Sequence, residues 1–234
     1  MPIPLTLGMP PSREEPRGLL TALLTRRHPT LADALAAPAL DAIGDPVVPV
    51  STLTEALGET TGAVRIVGEL DVAPDAERLA GLRPVPVRYQ LDCTAADLDD
   101  ALAVAVPAPL TVYVDAGDLP VTARALVGAG HSPGLPTGRD VGEIADFLSV
   151  LAHAGTGYVA RARDADEVLA LLAATVAALR GDDVRAAFAA PDPGRLTALI
   201  PEAAAAVREI LLAVEVDDPA GVARDLAALG LAAR

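Results

Sequence analysis

Short apolar runs alternate with helix-like stretches from about residue 62 to residue 180, and an acidic or polar residue follows each run. Three of these runs, at 64–70, 85–91 and 110–115, recur at similar intervals. This alternation is typical of βα units, in which helices connect parallel strands. Over the whole chain, the pattern predicts eight strands, at 3–7, 47–50, 64–70, 85–91, 110–115, about 129–132, 157–161 and 210–216.

Eight βα units in 234 residues predict an α/β fold of one domain, a compact (β/α)8 barrel of the TIM type. The domain is expected to span residues 1–234, with an irregular N-terminal part over residues 1–62. An open parallel α/β sheet is the alternative, because the same alternation builds doubly wound sheets. No G-x-G-x-x-G motif follows the early strands, so a dinucleotide-binding version of that sheet has little support.

Local patterns add boundaries to this outline. Leucines spaced along one helical face predict a helix over residues 17–26. Thr30 is predicted to cap a helix over 31–40, because its hydroxyl can accept a hydrogen bond from a free amide of the first turn. The segment 210–216 could continue the preceding helix, but its β-branched residues and the following Asp-Asp-Pro favour a strand.

The composition limits the chemistry that the chain can perform. It contains no lysine, asparagine or tryptophan, and all 18 positive charges belong to arginine. Without lysine, a Schiff-base aldolase, a lysine-anchored pyridoxal phosphate and a P-loop are excluded. The 32 acidic residues give a net charge of −14, and aromatic residues make up 2% of the chain. Both features argue against a nucleic-acid partner.

The sequence also predicts a cytoplasmic protein without a membrane partner. Its most apolar tract, residues 168–179, is too short to cross a bilayer. The single cysteine, Cys93, cannot form an internal disulfide. The alanine- and leucine-rich stretches 165–180 and 203–213 are compatible with a homo-oligomer, although helices that pack on a barrel have the same composition.

Acidic residues at the strand ends form the main candidate site. Because the carboxyl ends of parallel strands meet at one mouth of a barrel, Glu69, Asp71, Asp92 and Asp115 are expected to converge there. Glu69 and Asp71 are the candidate ligands for Mg²⁺ or Mn²⁺, which prefer carboxylate oxygens. Asp92 and Asp115 are candidate catalytic groups. The alternative is that acids after strands cap the following helices.

Two further kinds of residue complete the candidate site. His131 lies in a loop rich in glycine and proline, expected at the mouth, and is the third catalytic candidate because histidine titrates near neutral pH. Arg139 and Arg161 are candidate substrate-binding residues for a carboxylate or phosphate. Their alternative role is ion pairing with Asp140 and Asp164.

The strand around residue 90 raises a separate question. Arg88, Gln90 and Asp92 share one face by the two-residue period of a strand. If that face points into the barrel, the interior is polar. The alternative places Arg88 in a structural ion pair with Glu69 or Asp71 on the neighbouring strand.

Two tracts resemble a family of actinobacterial-type, barrel-like proteins to which no function is assigned. One is 121–148, in which Gly138-Arg139 precedes an alanine- and leucine-rich helix, and the other is the C-terminal tract 214–231. The resemblance implies a barrel, but no activity that could be transferred. The chain departs from the family pattern in its short basic turn, Thr137-Gly138-Arg139, and in Tyr158-Val159-Ala160-Arg161, where lysine and histidine are usual.

These observations leave two functional hypotheses. The first is a small-molecule enzyme on a barrel scaffold, a lyase, isomerase or hydrolase that a metal ion could assist. The second is a non-catalytic barrel that binds a ligand or serves as a scaffold for a protein partner. The fold does not decide between them, because barrels host unrelated activities.

Overall fold

The computed structural model describes residues 18–53, 64–115 and 117–232. Within these ranges, eight short parallel strands alternate with helices around a nearly closed barrel, so the prediction of a (β/α)8 fold is confirmed. The strands are β1 (Leu24–Thr25), β2 (Val47–Pro49), β3 (Val67–Glu69), β4 (Arg88–Cys93), β5 (Leu110–Val114), β6 (Ser132–Leu135), β7 (Tyr158–Arg161) and β8 (Leu211–Glu215).

Neighbouring strands pair in the order β1-β8-β7-β6-β5-β4-β3-β2. The remaining gap, between β1 and β2, is bridged by two backbone hydrogen bonds. The amide of His28 donates to the carbonyl of Val47 at 2.8 Å, and the amide of Val47 donates to the carbonyl of Arg26 at 2.9 Å. All the strands therefore deliver their carboxyl ends to the same mouth, where barrels of this type carry their sites.

The helices fill the connections between the strands, and most lie on the outside of the barrel. They are α1 (Leu31–Ala36), α2 (Val50–Leu53), α3 (Ala76–Gly81), α4 (Leu98–Leu102), α5 (Leu119–Gly128), α6 (Val141–Ala154), α7 (Ala165–Arg180), α8 (Val184–Ala189), α9 (Pro193–Thr197), α10 (Pro201–Ile210) and α11 (Pro219–Ala228). A 3-10 turn over Ala95–Asp97 precedes α4.

Acids cap the helices that follow the last four strands. In each case the carboxylate accepts a hydrogen bond from an amide of the first helical turn, which has no partner inside the helix. The caps are Asp118, Asp140, Asp164 and Asp218. The capping role expected as an alternative for strand-end acids is thus real, but it belongs to acids a few residues beyond the strands.

The N-terminal predictions need correction. The helix predicted over 17–26 is wrong, because Leu24–Thr25 is β1, and Leu23 and Leu24 are fully buried against the rest of the fold. The leucine spacing fits a helix, but burial between β8 and the 42–47 segment decides the conformation. Thr30 does cap α1. The strand predicted at 3–7 lies outside the described residues. The strand expected near 129–132 is β6, three residues later.

The apolar core has two parts, one between the sheet and the helices and one inside the barrel. Most buried leucine, valine and phenylalanine side chains lie between the sheet and the helices, with Phe147 packed edge-on against Tyr158. Inside the barrel, a small apolar cluster joins Tyr113, Val159 and Ala213. Tyr113 lies over Gly134 of the next strand, where any β-carbon would overlap its ring. Glycine at position 134 therefore makes room for an aromatic ring inside the barrel.

Candidate functional site

One guanidinium joins three acids at the mouth of the barrel. Arg27, just after β1, lies 2.7 Å from Glu69 of β3, 2.7 Å from Asp92 of β4 and 2.9 Å from Glu215 of β8. Because β4 and β8 are not neighbours, these contacts cross the interior of the barrel. The ends of four strands are held together by a single side chain.

A second guanidinium, that of Arg161 at the end of β7, also contacts two of these acids. Its Nη2 lies 2.7 Å from a carboxylate oxygen of Asp92, and its Nε lies 3.2 Å from Glu215. The same guanidinium stacks over the ring of Tyr113 at 3.8 Å, a distance suited to a cation–π interaction. Asp92 is therefore held by two arginines, which come from the two strands on either side of β8.

Glu215 is the most enclosed acid of the group, and Gln90 satisfies its second oxygen. The Gln90 amide donates to Glu215 at 3.1 Å, and both residues are buried. This contact shows that the row of alternate residues on β4 does face the barrel interior. We call Arg27, Glu69, Gln90, Asp92, Arg161 and Glu215 the mouth network.

Burial and charge act in opposite directions on the ionisable groups of the network. Burial is the main cause that raises the pKa of Glu69; the positive charge of Arg27 opposes it. Burial acts to lower the pKa of Arg27, but the hydrogen bond to Asp92 and the surrounding carboxylates outweigh it and raise that pKa. Arg27 is thus a fixed cation, while Glu69 holds its proton to a higher pH than an ordinary glutamate.

The raised pKa of Glu69 predicts a pH dependence of stability. The native state binds this proton more tightly than the unfolded chain, so the contribution of Glu69 is complete below its ordinary pKa of 4.5 and is lost as pH rises through its higher native pKa. Relative to Glu69→Gln, the unfolding free energy of the wild type should therefore fall with rising pH. Urea titrations of both proteins from pH 5 to 7 measure this difference. A similar slope for Glu209→Gln, at an exposed position, would contradict the assignment.

An open cleft of about 370 Å³ lies beside the network. It opens at the mouth over the ends of β4, β5 and β7, and Asp92, whose side chain is 43% exposed, lines it. Its lining residues are Asp92, Cys93, Thr94, Asp97, Tyr113, Val114, Asp115, Pro136 and Arg161. Three carboxylates face one guanidinium, so the cleft is acidic. Burial raises the pKa of the Cys93 thiol, and nearby Asp97 and Asp92 add to this effect, which makes a nucleophilic thiolate unfavourable.

The structure brings Asp92, Asp115 and Arg161 together on the cleft, as their positions in the sequence suggested. Arg139 lies beside it with a different set of partners. Its guanidinium donates to the carbonyls of Val114, Asp115 and Gly117 at 3.2–3.3 Å. Arg139 therefore fixes the loop that carries Asp115, and its charge also lies 3.7 Å from Glu143 rather than toward the cleft.

Replacing Arg139 by methionine should loosen that loop. Three carbonyl acceptors would lose a charged donor, which we expect to lower the unfolding free energy by about 2 kcal/mol. Urea unfolding of Arg139→Met measures the loss, and faster hydrogen exchange at residues 114–118 would locate it. An unchanged unfolding free energy would show that these hydrogen bonds do not hold the loop.

The predicted metal ligands do not fit a divalent cation. Glu69 points to Arg27, while Asp71 accepts hydrogen bonds from the amide and the hydroxyl of Ser51 at the start of α2. Among the described residues, no three histidine, cysteine, aspartate or glutamate side chains are grouped so that they could hold a metal ion. The acids of the mouth are arranged around guanidinium groups instead.

His131 does not lie at the mouth, and that expectation was incorrect. The residue directly precedes β6, so it lies at the amino-terminal end of the strand, on the opposite side of the barrel. Its Nε2 lies 3.2 Å from the carbonyl oxygen of Leu102 at the end of α4. The position of the strand, three residues later than predicted, moves this histidine from one end of the barrel to the other.

Sequence reasoning missed Arg27 and Glu215, the two residues with the most partners in the network. Arg27 follows a strand of two residues that resembles part of a helix, so nothing nearby marked it as a strand-end residue. Glu215 had a usable signal, because it is the acid within the predicted strand 210–216. Gln90 was not missed, because the two-residue period of the strand already placed it on one face with Arg88 and Asp92.

Comparisons with known proteins found no match to this chain. No protein-family model matches the chain, and no curated protein or solved structure matches it. Among the described residues, no helix has both the length and the apolar character that crossing a membrane requires.

Proposed function

We propose that this barrel is a small-molecule enzyme that transfers a proton at its mouth, in the manner of a lyase, isomerase or hydrolase. The observation that carries the proposal is the environment of Asp92. Its carboxylate is partly exposed to an open cleft while two arginines fix its orientation at 2.7 Å each. A positioned carboxylate within reach of a bound molecule is the basic requirement of general acid–base catalysis.

Each residue of the cleft has a role in this proposal. Asp92 accepts or returns the proton, and Arg27 and Arg161 hold its carboxylate in place. Asp115, at the end of β5, binds a polar group of the substrate from the other side of the cleft. Tyr113 forms the floor, because its ring is buried beneath Arg161.

The charges of the cleft favour a neutral hydroxylated or an amine-bearing substrate. Arg161 already shares its charge with Asp92 and Glu215, and Arg139 is bound to backbone carbonyls. Neither guanidinium is therefore left to bind a carboxylate or a phosphate, the ligands that the sequence suggested. Asp92, Asp97 and Asp115 attract cations and accept hydrogen bonds from hydroxyl groups.

A non-catalytic ligand-binding barrel is the second candidate. The observation that favours it is the mutual pairing in the mouth network, in which each arginine contacts at least two acids. Such a network ties five strand ends together without a ligand. In this candidate the mouth network serves only to close the barrel, and the cleft binds a ligand without converting it.

Cys93 provides a direct probe of the cleft, because it is the only cysteine of the chain and lies in the lining. We would measure its rate of modification by a thiol reagent at pH 8.5 in the presence of small amines, polyols, carboxylates and phosphates. Protection by amines or polyols is expected. Asp92→Asn should weaken that protection at least tenfold, while Asp225→Asn, at an exposed site on α11, should leave it unchanged.

A second measurement separates the two candidates. The protecting compounds are incubated with the protein in D₂O, and deuterium incorporation or conversion is followed by NMR. Exchange that requires Asp92 supports the enzyme. Protection without any exchange or conversion supports the binding barrel. Equal protection in the wild type and in Asp92→Asn would contradict both, because neither would then use the cleft carboxylate.

A further inference from the structure

Three polar groups inside the barrel have no hydrogen-bond partner among the described residues. They are Nε of Arg88, Oγ1 of Thr111 and Oη of Tyr113, and each of these atoms is buried. Thr111 is 0% exposed and Tyr113 is 2% exposed. Buried polar atoms in folded proteins nearly always have a partner, so three orphans on adjacent strands indicate that one is missing.

These groups lie on the inward faces of two neighbouring strands. Gln90 points across the barrel to Glu215, and Arg88 lies two residues earlier on the same face of β4. Thr111 pairs in register with Gln90, and Tyr113 pairs with Asp92, so both face inward from β5. Arg88 and Tyr113 interact electrostatically with each other. Arg88 and Thr111 lie toward the amino-terminal ends of their strands, whereas Tyr113 is level with Asp92 of the mouth network.

Arg88 is the charged member, and only more distant carboxylates, those of Asp45 and Glu215, act on its charge. It forms no salt bridge with any described residue, although Glu69 and Asp71 on the neighbouring strand were its expected partners; Glu69 binds Arg27, and Asp71 binds Ser51. Burial lowers the pKa of Arg88, and the carboxylates of Asp45 and Glu215 offset this effect only in part. A partly buried charge without a salt-bridge partner is costly, and an ion of opposite sign offsets part of that cost.

We propose that the barrel interior binds a small monovalent anion on Arg88, Thr111 and Tyr113. The guanidinium and the two hydroxyls are hydrogen-bond donors, so together they suit an anion such as chloride, nitrate or formate. The mouth network carries three carboxylates and two arginines. Its excess negative charge disfavours a doubly charged anion nearby more than a monovalent one. This site shares Tyr113 with the proposed catalytic cleft, but it does not depend on the function proposed for that cleft.

Thermal unfolding at constant ionic strength tests the proposal. Sodium chloride, bromide, nitrate and formate are each titrated against sodium gluconate, whose anion is too large to enter the barrel. At about 100 times its Kd, a bound anion should raise the Tm by about 5 °C. The increase should vanish in Arg88→Met and persist in Arg224→Met, which removes an exposed arginine. An equal response in both variants would overturn the proposal.

Thr111→Val and Tyr113→Phe sharpen the test, because each removes one orphan hydroxyl and little else. If an anion binds, each variant should weaken its apparent affinity at least fivefold. If the hydroxyls have no partner, both variants should be as stable as the wild type or more stable in every salt, and the proposal fails. If ordered water is the partner, both should lose the same stability in all salts, which also contradicts it.

A crystal grown in sodium bromide provides the direct readout. An anomalous peak beside the Arg88 guanidinium, absent in Arg88→Met, would place the ion. A diffraction map with only water at this position would overturn the proposal even if the Tm changed.

Discussion

Gly134→Ala is expected to destabilise the barrel by about 3 kcal/mol, the largest effect among the predicted substitutions. A β-carbon at position 134 would overlap the ring carbons of Tyr113. The ring cannot move aside, because it is 2% exposed and Arg161 stacks on its other face at 3.8 Å. Relief would require either the ring or a strand to shift, and a shift would disturb the mouth network above it.

Urea unfolding measures this loss, with Gly128→Ala as the matched control. Gly128 ends α5, and a β-carbon there would meet nothing within 4 Å. The control should therefore be neutral or slightly stabilising, since alanine favours a helix over glycine. In a Tyr113→Ala background, Gly134→Ala should cost little, because the overlapping ring is gone. An equal cost in both backgrounds would show that strain elsewhere, and not Tyr113, requires glycine.

Arg27→Met is expected to lower the unfolding free energy by about 2–3 kcal/mol at pH 7. Removing one partner of a buried charge pair costs about 3–5 kcal/mol, and the 36% exposure of Arg27 reduces this value. Glu69, Asp92 and Glu215 would then lie close together with only Arg161 to offset them. The closure between β1 and β2 should weaken as well, because Arg27 lies at that junction.

The loss in Arg27→Met should depend on pH in a defined direction. Protonation removes the repulsion between the carboxylates, so the difference from the wild type should shrink as pH falls toward 5. Glu69 should be protonated at a higher pH than an ordinary glutamate, since burial raises its pKa. Urea titrations at pH 5, 6 and 7, with Arg224→Met as the control, measure the change. A loss that is constant with pH would mean that the stem of Arg27 contributes by packing and that its charge does not.

The sequence located several residues of the candidate site but not the contacts between them. The two-residue period of β4 already placed Arg88, Gln90 and Asp92 on one face, and the strand ends placed Asp92 and Asp115 at one mouth. The partners of Asp92 could not be read, because Arg27 and Arg161 lie 65 and 69 residues away in the chain. Contacts between such distant residues follow from the register and closure of the sheet, which no local pattern encodes.

What the sequence determined by itself is the alternation of strands and helices, whereas the closure of the sheet into a barrel was decided by the tertiary structure. The apolar runs at 47–50, 64–70, 85–91 and 110–115 each overlap a strand, so local periodicity was sufficient to locate these elements. Where that periodicity was ambiguous, only the tertiary structure decided the conformation and the position of a residue. Leu24–Thr25 became a strand because β8 lay beside it, and His131 moved to the far end because β6 began after it. Both outcomes depend on packing between segments that meet only when the barrel closes.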